Sequence, residues 1–220
     1  MRLVLLGPPG AGKGSLAKCI TKSVDIFHIS TGDILREEIK TESELGKEAK
    51  SYIDQGNLIP DEVMTRVLKN TLETDARAEK GFLLDGFPRT VHQAEDLEEI
   101  LADLGKPLDF AVNMETTHDL IIWRLTGRRV CRKCGAIYHI ENNPPKNEGV
   151  CDSCGGELFQ RADDNEETIK HRLEVYLETT EPIIDFYKSK NKLKNIDGDA
   201  DTPGLRDIVL SHFNELEQSN

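Results

Sequence analysis

The stretch Gly7-Pro8-Pro9-Gly10-Ala11-Gly12-Lys13-Gly14-Ser15 follows an apolar run, residues 2–6, and opens a segment with helical periodicity, residues 12–23. A glycine-rich loop in this position lets successive backbone N–H groups converge on phosphate oxygens, while the helix N-terminus and the Lys13 ammonium add positive charge. The stretch therefore predicts a strand-loop-helix unit that binds the phosphates of a nucleotide. The alternative is a plain glycine-rich turn. Because Gly14 replaces the usual hydroxyl residue, direct hydroxyl ligation of Mg²⁺ there is not predicted.

Apolar runs and helical segments alternate along the rest of the chain. This alternation predicts an α/β fold in which a parallel five-stranded sheet is flanked by helices on both faces. The predicted strands are residues 2–6, 27–29, 82–84, 110–114 and 193–196, and the predicted helices are residues 12–23, 31–40, 60–72, 90–104, 117–125 and 165–189.

The last predicted helix has a readable start and a readable buried face. Asp164 and Glu167 have the spacing of an N-cap and a third-position acid, which predicts that Asp164 caps the helix. The side chains expected on its buried face are Ile169, Leu173, Tyr176, Ile183, Ile184 and Tyr187.

Composition places the chain among ordinary globular proteins and limits its partners. Of 220 residues, 37% are hydrophobic and 31% charged, which is enough to bury one main core. The formal net charge of -12 disfavours a broad surface for nucleic acid or anionic lipid. The N-terminal apolar run is too short for a signal peptide and no later run is long enough to span a membrane, so the expected location is the cytoplasm.

One apolar run ends in a carboxylate, Phe82-Leu83-Leu84-Asp85. An acid in this place holds Mg²⁺ and its waters in phosphate-loop proteins, which makes Asp85 the candidate for that role; the alternative is a simple turn with Gly86. Arginines could neutralise charge on a transferring phosphoryl group, although each taken singly is more typical of a solvated surface. Arg124 and Arg128, four residues apart, would share a face if the helix continued that far. The candidate arginines are Arg89, Arg124, Arg128, Arg161 and Arg172.

Four of the five cysteines form two Cys-x-x-Cys pairs, Cys131 with Cys134 and Cys151 with Cys154. This spacing predicts a four-thiolate zinc ribbon, and since four protein ligands leave no open position, the metal would be structural. Disulfides are the alternative, and His139 within the module is a competing ligand. Cys19 is expected to be a small buried apolar residue.

The motifs, in their order along the chain, resemble those of the adenylate kinase family over nearly the whole sequence, and specifically the long bacterial form whose lid carries a zinc ribbon. The resemblance implies reversible transfer of the terminal phosphoryl group of ATP to AMP, giving two ADP, with Mg²⁺ bound to the nucleotide. The matching motifs are Gly7 to Ser15, Ser30-Thr-Gly-Asp33 with Arg36, Asp85-Gly-Phe-Pro-Arg89 with Gln93, Gly127-Arg-Arg129 and Arg161-Ala-Asp-Asp164.

The same resemblance implies roles for single residues, with Ser15 standing where the family usually has Thr. The residues implied for ATP are Gly10, Ala11, Gly12, Lys13, Gly14 and Ser15, together with Arg128, the backbone of Ile137 and Tyr138, and the backbone near Ala200 facing adenine. The residues implied for AMP are Thr31, Arg36, Asn57, Leu58, Ile59, Gly86, Phe87, Pro88, Arg89 and Gln93. Those implied around the transferring group are Lys13, Asp85, Arg89, Arg124, Arg128, Arg161 and Arg172, of which Arg161 and Arg172 also bind substrate.

The implied organisation is a core of residues 1–29, 60–126 and 165–220, an AMP-binding segment of residues 30–59 and a zinc-binding lid of residues 127–164, in a monomer. The residues by themselves leave UMP, CMP or GMP open as the acceptor. They also leave open a zinc-ribbon protein that binds nucleic acid, which the acidic charge and the lack of basic stripes with interleaved aromatics disfavour.

Overall fold

The computed structural model describes residues 1–219. Within that range, a parallel five-stranded sheet has the order β2-β3-β1-β4-β8. Its strands are β1 (Arg2–Leu6), β2 (Phe27–Ser30), β3 (Phe82–Asp85), β4 (Phe110–Glu115) and β8 (Leu193–Asp197). The middle strand is β1, where Leu5 lies beside Asp85 of β3 and Val112 of β4. The predicted sheet is confirmed, and each strand after β1 is one residue longer than predicted.

Helices cover both faces of the sheet, as predicted. Successive side chains of a strand point to opposite faces, so Val4 and Leu6 join one buried cluster while Leu3 and Leu5 join another. The helices are α1 (Lys13–Ser23), α2 (Thr31–Lys40), α3 (Glu44–Gln55), α4 (Asp61–Thr74), α5 (Val91–Asp103), α6 (His118–Thr126), α7 (Glu166–Val175), α8 (Pro182–Ser189) and α9 (Thr202–Ser219). Helices α4, α5 and α8 pack on the first cluster, and α1 and α9 pack on the second.

The helix predicted over residues 165–189 is divided in two. A π-helical turn, Tyr176–Thr180, separates α7 from α8, and Glu181 N donates to Tyr176 O at 2.9 Å. Pro182 opens α8 and has no N–H to continue the α-helical pattern, which accounts for the turn. The extra residue rotates the buried face, so Tyr176 and Ile184, predicted to be buried, are only half-buried.

The predicted cap of α7 is also wrong. The side chain of Asn165, not of Asp164, accepts a hydrogen bond from Thr168 N at 2.9 Å. Asp164, one residue before Asn165, is instead fully buried, and its carboxylate accepts hydrogen bonds from Arg128. An acid two residues before the helix therefore carries out a different task from the capping that its spacing suggested.

Neither helix α9 nor helix α3 was predicted. The sequence at the start of α9, Thr202-Pro-Gly204, is typical of a turn, while Leu205 and Val209 pack behind it on the second core cluster. Cys19 of α1 is half-buried rather than buried, and it lies beside Arg206 of α9. Among residues 1–219, no helix has both the length and the apolar character that crossing a bilayer would require.

A second, antiparallel sheet is built by the cysteine-bearing segment. Its strands are β5 (Arg128–Cys131), β6 (Ile137–His139) and β7 (Leu158–Phe159), in the order β6-β5-β7. Its small core consists of Cys131, Tyr138, Cys151 and Leu158. The strands are too short to be recognised from the periodicity of the sequence, and the segment buries few apolar side chains of its own.

Helices α2 and α3 approach each other so closely that one position requires glycine. A Cβ built on Gly46 would collide with the backbone carbonyl of Glu38. The Ser43 hydroxyl accepts from Gly46 N at 2.9 Å and holds the start of α3 in this place. The absence of a side chain at Gly46 therefore sets the distance between the two helices.

Replacing Gly46 by Ala should lower the free energy of unfolding by about 1–3 kcal/mol, because the added methyl group forces α2 and α3 apart. Denaturant unfolding followed by circular dichroism measures the change. Glu48→Ala on the exposed side of α3 is the matched control and should shift stability by less than about 0.5 kcal/mol. Equal stability of Gly46→Ala and the control would show that the interface accommodates a side chain.

Candidate functional site

The loop between β1 and α1 has the geometry of an anion-binding nest. Gly7, Gly10 and Gly12 all have positive φ, at 132°, 83° and 100°, a conformation that side-chain-bearing residues rarely adopt. Lys13 folds back over the loop and its Nζ donates to Gly7 O at 2.7 Å and to Pro8 O at 2.9 Å. No side chain caps the N-terminus of α1, so no protein side chain competes with a ligand for the N–H groups there.

Asp85 stands at the carboxyl end of β3, next to this loop. A Cβ on Gly14 would lie 3.3 Å from Asp85 Oδ2, so a side chain after Lys13 would crowd the carboxylate. Burial raises the pKa of Asp85, but the ring of His28, whose Nε2 lies 3.6 Å from Oδ2, and the charge of Lys13 outweigh it and lower the pKa overall. Asp85 is therefore a carboxylate at neutral pH.

The electrostatic environment of Lys13 is unusual for a lysine. Withdrawal of its ammonium group from water lowers its pKa to about 8, against 10.5 ordinarily. Asp85 opposes this shift, while the arginines at positions 89, 172 and 128 add to it. Lys13 thus lies close enough to Asp85 and to these arginines for their charges to shift its pKa.

A group of arginines meets near the loop, and two buried acids hold part of it in place. Arg128 forms a bidentate pair with Asp164, with distances of 2.8 and 2.6 Å, and Arg172 Nη1 lies 2.9 Å from Asp163 Oδ2. Arg161 Nη2 lies 3.8 Å from Asp33 Oδ1. Asp163 and Asp164 were not predicted as site residues, although both stand in the motif that includes Arg161.

Positive charge in this group exceeds the negative charge that the protein supplies. Desolvation of its guanidinium, with the neighbouring charge of Arg172, lowers the pKa of Arg89 to about 10, and burial with the charge of Arg36 lowers that of Arg161 to about 9. Arg161 Nε is buried without a hydrogen-bond partner among residues 1–219. Such a cluster is suited to receive anionic ligands.

Arg124 lies outside this group. Helix α6 ends at Thr126, so Arg124 and Arg128 do not share a helix face as the four-residue spacing suggested. Arg124 Nη1 donates to Gly198 O at 2.9 Å and to Ala11 O at 3.3 Å, tying the phosphate loop to the loop after β8. Exposed Ala200 belongs to that second loop.

A cavity beside the arginines contains most of the predicted acceptor residues. Of those predicted, Phe87 and Pro88 are buried and do not line the cavity, and neither does Arg161, which was also implied to bind substrate. Lining residues that were not predicted are mainly small or apolar and cannot be told from core residues by sequence. The lining consists of Thr31, Gly32, Leu35, Arg36, Ile53, Gly56, Asn57, Leu58, Ile59, Met64, Gly86, Arg89, Gln93, Asp163 and Arg172.

The cysteine pairs converge as predicted. The four sulfurs lie within 4.8 Å of one another, and Sγ of Cys131 is 3.5 Å from that of Cys154. A tetrahedron of sulfurs at zinc distance has edges of about 3.8 Å, so the arrangement fits that ion. Every cysteine in residues 1–219 is a free thiol, which excludes the disulfide alternative for this structure.

The protonation of the thiols also fits a cation at the centre. The hydroxyl of Tyr138 stabilises the Cys151 thiolate and lowers its pKa to about 6. A backbone hydrogen bond from Gly156 favours the Cys154 thiolate, but the neighbouring cysteines outweigh it and raise the pKa of Cys154 to about 12. Without a cation the cluster cannot hold four negative charges.

His139 is not a ligand of this cluster. Its Nε2 bonds to Trp123 O at 3.0 Å, and its Nδ1 accepts from the backbone N–H groups of Glu141 and Asn142 at 3.2 and 3.1 Å. Both ring nitrogens are therefore occupied. The backbone of Tyr138 was predicted to contact ATP. Its side-chain hydroxyl lies 3.5 Å from Cys151 Sγ, within hydrogen-bond distance of that thiol.

A parallel sheet with a phosphate loop after β1, an acid after β3, an arginine cluster and a second adjacent cavity defines a phosphate-loop phosphotransferase. The family model described as adenylate kinase matches residues 5–192. The adenylate kinase of Bacillus subtilis (strain 168) is 56% identical over 201 residues, covering 91% of this chain and 92% of the relative. The adenylate kinase of Methanocella arvoryzae is 54% identical over 217 residues, covering 98% and 100%.

The chain belongs to the adenylate kinase family. Its activity is that of the family, reversible phosphoryl transfer from ATP to AMP giving two ADP. A third relative, the adenylate kinase of Caldicellulosiruptor saccharolyticus, is 53% identical over 210 residues, covering 96% of this chain and 97% of the relative.

The lowered pKa of Lys13 predicts a basic limb in the pH profile. Lys13 binds phosphate as a cation and is a cation only below its pKa, so kcat/KM for ATP should fall as pH rises through about 8. Initial rates from pH 6.5 to 9.5, with ADP quantified directly by chromatography, measure the limb. In Lys13→Arg the guanidinium stays charged, so its lower kcat/KM should be flat up to about pH 8.5, below the pKa of Arg161. An unchanged limb below that pH would contradict the assignment to Lys13.

Proposed function

We propose that ATP occupies the phosphate loop and AMP the adjacent cavity, with the arginine cluster between them at the transferring group. The observation that carries this assignment is that the phosphate loop, the arginine cluster and the cavity lie next to one another. The charges of Asp85, Arg89 and Arg172 shift the pKa of Lys13, and Arg89 and Arg172 also line the cavity. A phosphoryl group leaving the loop would therefore reach the cavity through a region of positive charge.

On the donor side, the backbone N–H groups of residues 10–15 and the ammonium group of Lys13 would bind the ATP phosphates. Arg128 and the backbone of Ile137 and Tyr138 would contact ATP from the second sheet. Arg124 and the loop at Ala200 would lie on the adenine side, because Arg124 joins that loop to the phosphate loop. Exposed Ala200 would act through its main chain.

On the acceptor side, polar groups at the arginine end of the cavity would hold the AMP phosphate, and Gln93 would face adenine. Arg36, Arg89, Arg161 and Arg172 are the charged groups available to the phosphate. Apolar side chains such as Leu35 and Met64 line the remainder of the cavity, which suits the faces of a base. Thr31, the backbone of residues 57–59 and Gly86 complete the proposed contacts, with Phe87 and Pro88 supporting the cavity from beneath.

The chemical step needs little covalent help from the protein. An AMP phosphate oxygen attacks the γ-phosphorus of ATP, and the bond from that phosphorus to the bridging oxygen breaks, leaving two ADP. The attacking oxygen is already ionised, so no general base is required. The contribution of Arg89, Arg161 and Arg172 is to align the two phosphates and to neutralise charge that spreads over the transferring group.

Magnesium would be held by the Asp85 carboxylate and the nucleotide phosphates. Asp85 fits this role because it is ionised at neutral pH and its Oδ2 lies beside the phosphate loop, 3.3 Å from where a Cβ of Gly14 would stand. Ser15 is exposed and one residue beyond the usual hydroxyl position. When bound, the ion would neutralise charge on the phosphates between which the bond breaks.

Residues 127–164 would form a lid and residues 30–59 an AMP-binding segment, each moving against the core of residues 1–29, 60–126 and 165–220. A contact across the boundary between lid and core is an exposed polar pair that can break without unpacking apolar side chains. Lys18 Nζ of the core donates to Gly135 O of the lid at 2.9 Å. Closure would exclude water, which otherwise competes with AMP as acceptor.

Zinc is the metal proposed for the four cysteines, in a structural role, and the protein is proposed to act as a cytoplasmic monomer. Four thiolates leave the ion no open position for substrate, and the segment of β5, β6 and β7 has only a small core. The metal would therefore fix the shape of the lid and take no part in phosphoryl transfer.

The proposed arrangement is tested by comparing AMP, GMP, CMP and UMP as acceptors at fixed MgATP. ADP formation should be fastest with AMP, and Arg89→Ala should lower kcat by at least about 100-fold, because it removes a charge at the transferring group. The control is Arg77→Ala, an exposed arginine that pairs with Asp75 and does not line the cavity, which should keep normal turnover. Near-normal turnover of Arg89→Ala would refute the arrangement.

Cys154→Ser should lose the bound metal, because three thiolates and a hydroxyl bind zinc far more weakly than four thiolates. Metal analysis by mass spectrometry should find about one zinc per wild-type chain and much less in the variant, whose residues 127–164 should be cut faster by protease. Cys19→Ser, which removes a thiol outside the cluster, should keep its zinc. Wild-type protein that contains no zinc after purification without chelator would rule the proposal out.

A further inference from the structure

Gln93 is buried at the wall of the cavity, and hydrogen bonds hold both ends of its amide. Its Oε1 accepts from the backbone N of Arg89 at 2.8 Å, and its Nε2 donates to Asp61 Oδ1 at 2.7 Å. The side chain is 1% exposed, so water does not compete for these bonds. A backbone N–H can only donate and a carboxylate only accept, so the two partners independently require the same orientation of the amide.

Asp61 is itself held in place. It is the first residue of α4, and its Oδ2 accepts from the Thr90 hydroxyl at 2.7 Å. Thr90 in turn accepts from Gln93 N at 3.1 Å and caps α5. The carboxylate thus bridges the start of α4 to the start of α5, and the position of its oxygens does not depend on a flexible side chain.

From this arrangement we infer that Asp61 is a specificity-determining residue, which selects adenine by fixing the orientation of the Gln93 amide. After the bonds to Asp61 and Arg89 are made, the amide keeps one N–H and one lone pair for a base in the cavity. Adenine offers an acceptor at N1 beside an amino donor at C6. Hypoxanthine and guanine reverse these positions, with a donor at N1 and an acceptor at O6.

A free amide could turn over and accept either pattern at little cost. An amide held at both ends cannot, so the reversed base meets donor against donor and acceptor against acceptor. Asp61 does not line the cavity and acts only through Gln93, which makes it a positioning residue. This inference rests on the proposed placement of AMP in the cavity.

The test compares AMP with inosine monophosphate, which has the same size and the reversed hydrogen-bond pattern. The measured quantity is the ratio of kcat/KM for the two acceptors at saturating MgATP. In Asp61→Leu, which has a similar shape but no acceptor, the AMP preference should fall at least about tenfold, because one of the two bonds that orient the amide is lost. In Asp61→Asn, whose carbonyl can still accept from Gln93, the preference should return to within about threefold of wild type.

The matched control is Glu62→Gln, which removes a charge from the same first turn of α4 without touching Gln93. Its ratio should equal that of the wild type. Because both acceptors are measured on one preparation, a loss of folded enzyme cancels from the ratio, and Asp61→Ala replaces the Leu variant if that protein is insoluble. A ratio in Asp61→Leu within twofold of wild type, or an equal fall in Glu62→Gln, would overturn the role of Asp61. A wild-type enzyme that phosphorylates neither acceptor would instead refute the proposed function.

Discussion

Arginine side chains can be withdrawn from water only where enough negative charge surrounds them, and this constraint organises the site. Asp163 and Asp164, both buried, neutralise part of the charge of Arg128 and Arg172. They do not neutralise all of it, since the pKa values of Arg89 and Arg161 are lowered by burial and by neighbouring arginines. The phosphates of the two nucleotides are the anions that would complete the balance.

The same constraint explains how a protein of net charge -12 can bind polyanions. The positive charge is concentrated at the carboxyl ends of β1 and β3, where the phosphate loop, α1 and the arginines meet. Acids such as Asp33 and Asp163 then hold the arginines in the correct places and keep them apart from one another. Strong binding of phosphate is a local property of this arrangement and needs no basic surface.

Some of this could be predicted from sequence, because the relevant residues act through local geometry. The glycines of the phosphate loop, the acid that ends β3 and the paired cysteines each carry their chemistry in their spacing. The five strands were predicted for a similar reason, since buried parallel strands are apolar runs between turns. Periodicity and residue spacing therefore sufficed for the sheet, for helices such as α1, α4 and α5 that pack on it, and for the cysteine cluster.

What could not be predicted depends on contacts between distant segments. Asp164 has the spacing of a helix cap, and only its burial against Arg128 shows another role. The turn that divides α7 from α8 follows from Pro182, but the local sequence reads as one amphipathic helix. Helix α9 begins with residues typical of a turn, and it is the core behind it that makes the segment helical.

The wall of the acceptor pocket likewise combines a residue that could be predicted from sequence with one that could not. Gln93 could be proposed from the family motif because its amide is suited to a base, yet a free amide suits every base about equally. Selectivity requires that the amide be held, and the holding group, Asp61, lies 32 positions away at the start of another helix. In sequence it is one of two adjacent acids, and the dipole of α4 would favour both. Asp61 is distinguished from Glu62 only because the starts of α4 and α5 meet at the Asp61 carboxylate. The residue that sets the specificity therefore need not touch the ligand.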